Sequence, residues 1–191
     1  MALTKLTLPS GKYYIRSESP WQGYLQGKFC YISEKATKPG QSALFDVVTV
    51  DGSAGFVYFR STFFDGNNLL SVSKKDKMAE KNATTLEEEE HFTGRLFLSA
   101  ENTNNLGAAQ FELFVPPMNS GNVAKNVRAI IRSVNNQRFL SVKSGGSPFA
   151  TEKDPSLATV FILERDLRLL LFDCFKRFYA LISLNSLFCN L

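Results

Sequence analysis

His91 is the only histidine of the chain, and it follows four consecutive glutamates, Glu87–Glu90. General acid–base and nucleophilic catalysis mostly needs an imidazole oriented by a second group, and one histidine supplies that poorly. Neighbouring residues of a strand or coil point in different directions, so the Glu–His run does not make a metal cage. Cys30, Cys174 and Cys189 are an odd, sparse set without a Cys-x-x-Cys pair, which argues against zinc and against a disulfide framework. The chemistry that remains is non-covalent. Rings, amides and one carboxylate gather in turn-like stretches: Trp21 and Tyr24 in SPWQGY, Asp65, Asn67 and Asn68 in FFDGNN, and Asn136 in NNQ. A ring can stack on the apolar face of a flat ligand while amides and carboxylates fix its hydroxyls. No catalysis, cofactor or metal is expected.

These residues need elements to hold them, and the elements are written three times. Tyr13-Tyr14-Ile15-Arg16-Ser17, Val57-Tyr58-Phe59-Arg60-Ser61 and Ala129-Ile130-Ile131-Arg132-Ser133 share an apolar run ending in Arg-Ser. Each is followed by a second match: Gly23-Tyr24-Leu25-Gln26, Asn68-Leu69-Leu70-Ser71-Val72 and Arg138-Phe139-Leu140-Ser141-Val142. The gap from Arg to the aligned Leu is 9 (16 to 25), 10 (60 to 70) or 8 (132 to 140) residues, which suits two strands and a short turn. A third string is Tyr31-Ile32-Ser33-Glu34, Leu98-Ser99-Ala100-Glu101 and Phe149-Ala150-Thr151-Glu152. A fourth surrounds a central phenylalanine: Ala43–Val47, Ala109–Leu113 and Thr159–Leu163.

Alternation of apolar and polar residues gives each strand one buried face, which a lone four-stranded unit cannot hide. Three units about a pseudo-threefold axis can: six strands close into a barrel and three hairpins cap it. The expected fold is therefore all-β, a β-trefoil of three four-stranded repeats. The repeats occupy about 11–50, 55–116 and 127–164, within a domain 1–164. The second is longer by a charged segment without strand pattern, 73–92, which reads as a solvated insertion.

Composition agrees. Seventeen phenylalanines and six tyrosines favour a pleated framework. The net charge of +4 is mild and no dense Lys/Arg stripe occurs, so nucleic acid is not an expected partner. The opening MALTKLTLPSGKYY lacks an apolar signal core, and a cytoplasmic or nucleocytoplasmic protein is expected; the sequon Asn82-Ala83-Thr84 then carries no meaning.

The apolar-Arg-Ser, turn, aromatic-Leu-Ser/Gln-Val pattern resembles the agglutinin domain of amaranthin-type plant lectins. Gly145-Gly146, Phe149-Ala150, Asp154-Pro155 and Val160-Phe161 of the third unit add to the resemblance, which covers about residues 5–164. It implies a non-catalytic carbohydrate-binding module for galactose- or N-acetylgalactosamine-containing glycans, with glycans or glycoproteins as partners. Many members join two such domains and share a sugar site between protomers. This chain has one trefoil, and a homodimer is one arrangement open to it. No sugar-contact motif transfers residue by residue. The Tyr-Leu-Ser rhythm is also similar to fascin-like actin-bundling trefoils, and Tyr13-Tyr14-Ile15 to trefoil protease inhibitors. A protein-interaction trefoil is thus the alternative function.

On this reading the ligand-binding set is Trp21, Tyr24, Asp65, Asn67, Asn68 and Asn136. A structural role stays open for each: Trp21 over the barrel mouth, and Asp65, Asn67 and Asn136 as turn residues that bond their own backbone. Residues 165–191 depart from the repeats. Apolar positions 167, 170, 171, 174, 175, 178, 181 and 182 fit a helical stripe. The uncharged run from 178 to 191 falls short of the ~20 residues that span a bilayer. A packed helix, a gene-end segment foreign to the domain and a membrane-surface anchor all fit this tail.

Overall fold

The computed structural model of the protein describes residues 3–19, 22–27, 31–33, 40–50, 55–63, 68–73, 94–100, 106–117, 126–143 and 146–166. Residues 74–92 of the insertion and the tail from 167 onward, including its expected helix, lie outside the described residues.

Twelve strands follow the repeat. The first unit supplies β1 (Gly11–Ser17), β2 (Gly23–Gln26), β3 (Tyr31–Ser33) and β4 (Leu44–Thr49). The second supplies β5 (Phe56–Ser61), β6 (Asn68–Val72), β7 (Leu96–Ala100) and β8 (Phe111–Phe114). The third supplies β9 (Asn126–Ser133), β10 (Phe139–Val142), β11 (Pro148–Glu152) and β12 (Phe161–Arg165).

First and fourth strands alternate round a closed antiparallel ring. β1 pairs with β4, β4 with β5, β5 with β8, β8 with β9, β9 with β12, and β12 returns to β1. The hairpins β2–β3, β6–β7 and β10–β11 hang from this barrel through β1, β5 and β9. Six barrel strands and three hairpins in threefold repetition are a β-trefoil.

The register explains the Arg-Ser dipeptide. Ser17 lies opposite Phe161, Ser61 opposite Phe45 and Ser133 opposite Phe111. All six side chains are buried. Each phenylalanine has a second partner three positions before an arginine: Phe45 faces Tyr13, Phe111 faces Val57 and Phe161 faces Ala129. Small serines next to the rings let all three aromatics occupy one apolar core with Ile15, Phe59 and Ile131. Leu25, Leu70 and Leu140 of the hairpins join the same core. Burying a side chain of this size contributes about 1.5–3 kcal/mol. The arginines alternate to the outer face of the barrel, each half-exposed.

The fourth strands start later than the alternation predicts. Short 3-10 turns at Gln41–Ala43 and Leu106–Ala109 carry the chain into β4 and β8, placing Ala43 and Ala109 in the core. Ahead of β12 a similar turn, Pro155–Leu157, ends before Thr159, whose hydroxyl accepts from the Val142 amide at 2.9 Å.

Two features lie outside the repeat. The N-terminal segment runs beside β8: Leu6 N donates to Leu113 O and Val115 N to Thr4 O, both at 2.9 Å. It covers the stretch of β8 beyond its pairing with β5, and Leu8 is buried. The ends of the insertion leave the sheet side by side, since Ser73 N donates to Arg95 O at 2.9 Å.

Candidate functional site

Tyr14 and Arg16 stand two residues apart on β1, so both face outward. Closure of the barrel brings Glu164 of β12 opposite Tyr14, and the first hairpin brings Tyr24 of β2 opposite Arg16. One carboxylate joins the strands: Arg16 Nε donates to Glu164 Oε1 at 2.7 Å, and the Tyr24 hydroxyl donates to Oε2 at 2.8 Å. Beside them the Tyr14 hydroxyl donates to Asp166 Oδ2 at 3.3 Å. The two tyrosine rings meet edge to face, centroids 6.1 Å apart, over Ala43 and Leu44. Burial, then the hydrogen bond to Glu164 and its negative charge, push the Tyr24 phenol up to about 12. The hydroxyl therefore stays protonated and a donor at any physiological pH.

The corresponding positions of the other repeats are built differently. Leu69 lies opposite Arg60 and Phe139 opposite Arg132, so the hydroxyl of Tyr24 has no counterpart. In the third repeat Arg132 Nε donates to Glu112 at 2.9 Å, Lys5 Nζ reaches the other carboxylate oxygen at 2.7 Å, and the guanidinium lies over Phe114 at 5.0 Å. The Glu112 side chain is only 5% exposed; that of Glu164 is 21% exposed and that of Arg16 32%. The third-repeat pair is a packed clamp, whereas the first-repeat cluster presents a charged donor, a charged acceptor and an aromatic hydroxyl to solvent.

Three of the six residues singled out from sequence are described. Tyr24 is in this cluster. Asn68 opens β6 opposite Ser61. Asn136 is occupied with the main chain: its Nδ2 donates to Ala150 O at 2.9 Å and its Oδ1 accepts from Arg138 N at 3.1 Å. It stands next to Gln137, whose φ is +57°. These three belong to three different repeats and form no single constellation. Trp21, Asp65 and Asn67 lie outside the described residues. Arg16, Glu164 and Asp166 were not singled out. The signal for them is topological, because only a barrel closed between its first and last strands puts Glu164 beside residues 140 and 148 positions earlier. Among the described residues no three His, Cys, Asp or Glu are grouped to hold a metal ion.

No family model and no curated protein sequence matches this chain. Among solved structures it is similar to one titled "BEL beta-trefoil apo crystal form 3", with a TM-score of 0.52 and 11% identity, over 85% of this chain and 99% of that one. At that identity the likeness shows a shared β-trefoil fold and nothing finer.

Proposed function

We propose that the protein is a non-catalytic carbohydrate-binding module, with residues 1–164 as the binding unit and galactose- or N-acetylgalactosamine-containing glycans as ligands. The observation that carries this reading is the Tyr24–Glu164–Arg16 cluster. Of three pseudo-equivalent outer positions, the first alone sets an aromatic hydroxyl on its ion pair, and its carboxylate is 21% exposed where Glu112 of the third-repeat pair is 5% exposed. Sugar hydroxyls are met by such charged acceptors and donors, and an adjacent ring takes the apolar face of the pyranose. Trp21, three residues before Tyr24, supplies that ring. The trefoil fold shared with the structure above and the resemblance of the repeats to amaranthin-type agglutinin domains both favour the reading.

The cluster is held on the paired sheet. Arg16 and Glu164 sit on barrel strands, and Tyr24 is fixed from β1 and β3. A glycan array probed with the full chain tests the proposal: galactose- or N-acetylgalactosamine-terminated glycans are retained. An array with no retained glycan overturns it.

A further inference from the structure

We propose that the outer face of β7 and β11 is a second binding surface, selective for saccharides that carry a carboxylate or sulfate group. Residues 95, 97 and 99 alternate to one face of β7, while Leu96 and Leu98 turn toward the core. Among the described residues Phe97 is one of the few large apolar side chains left open, 40% exposed. Opposite it on β6 stands Ser71, whose hydroxyl is 2.6 Å from that of Ser99. Arg95 is exposed and forms an antiparallel bridge with Phe149 of β11. Its guanidinium makes no ion pair among the described residues. An arginine is thus set between two aromatic positions, above a buried serine hydroxyl bonded to Ser99.

The arrangement breaks the threefold pattern in one respect. Tyr31, Phe97 and Phe149 occupy the same place in the three hairpins, opposite Gln26, Ser71 and Ser141. Two residues earlier stand Phe29, Arg95 and Ser147. The aromatic is common to all three, and of the three aligned positions before it only residue 95 is a cation. Positions 95 and 97 are about 7 Å apart along the strand. A sugar ring stacked on Phe97 therefore places an exocyclic acid over Arg95, whose planar fork suits carboxylate and sulfate alike. The surface is held rigid across two repeats, because Ala150 N donates to Gly94 O at 2.8 Å directly beneath it. It shares no residue with the Tyr24 cluster and does not rest on the function proposed there.

The test is calorimetric titration of the full chain with three disaccharides of one linkage: neutral, uronic and sulfated. At least one anionic disaccharide binds about tenfold more tightly than the neutral one, and the tighter of the two identifies the acid preferred. Arg95→Gln abolishes the preference, and Phe97→Ser weakens binding of the preferred disaccharide about tenfold. Thermal melts confirm that the variants fold; should Phe97→Ser not fold, Arg95→Gln decides. Equal binding of all three disaccharides, binding of none, or a preference that survives Arg95→Gln overturns the proposal.

Discussion

A β-carbon added to Gly94 would stand 2.3 Å from the Ala150 carbonyl oxygen. At this point the second and third repeats touch backbone to backbone, and the φ of Gly94, +54°, is one that other residues rarely adopt. Gly94→Ala must open the β7–β11 bridge and strain the chain, with an expected loss of about 2–4 kcal/mol. Gly107, with nothing within 4 Å of its missing Cβ, is the control: Gly107→Ala changes stability by about 0.5 kcal/mol or less. Urea unfolding of the two variants checks the contrast.

Glu112 contributes to the acid limb of stability. Burial alone would raise its pKa, but hydrogen bonds from Lys5 and Arg132, with their charges, outweigh that and hold it below the usual carboxylate range. A carboxyl with a depressed folded-state pKa stabilises the fold above its unfolded value, about 4.3, and that contribution is lost as pH falls through the folded value. Glu112→Gln should lower stability at pH 7 by about 3 kcal/mol, since Arg132 loses its partner. It should also flatten the decline between pH 5 and the folded pKa. Urea midpoints across that range measure both effects.

Tyr24 works in the opposite direction. Its folded pKa of about 12 lies above the ordinary 10, so its contribution is complete below pH 10 and disappears as pH climbs toward 12. Tyr24→Phe removes that alkaline component and one late-titrating phenol from the ultraviolet absorbance titration. Its cost at pH 7 is about 1 kcal/mol, the loss of a single hydrogen bond to a charged group that keeps Arg16.

How much of this was legible in the sequence depends on whether the threefold pattern carries it. Arg16-Ser17, Arg60-Ser61 and Arg132-Ser133 could be aligned because a closed barrel imposes the same in-out rule on each copy, and the serine–phenylalanine register follows from it. The asymmetric features were hidden. Asp46 and Glu112 lie directly across from their arginines, but the first repeat has Ile162 there, and its acid is displaced two residues to Glu164. The N-terminal segment on β8 and the Gly94 contact have no counterpart to align with. Asn136 could be placed in a turn, but not bonded to Ala150, because that partner comes from the packing of a neighbouring strand.

Trp21 is the only tryptophan, so its fluorescence reports on the first-repeat turn without interference. Saturating glycan should shift its emission. Trp21→Ala should weaken binding about tenfold or more while the thermal midpoint changes little. A collapsed fold in that variant would make the indole a core residue instead.

The most direct test is calorimetric titration of the full chain, wild type and Tyr24→Phe, with a galactose- or N-acetylgalactosamine-terminated oligosaccharide. Saturable binding that falls about tenfold on loss of the hydroxyl is the expected result. No heat at millimolar ligand, or equal affinity in both proteins, would contradict a sugar site at Tyr24, Arg16 and Glu164.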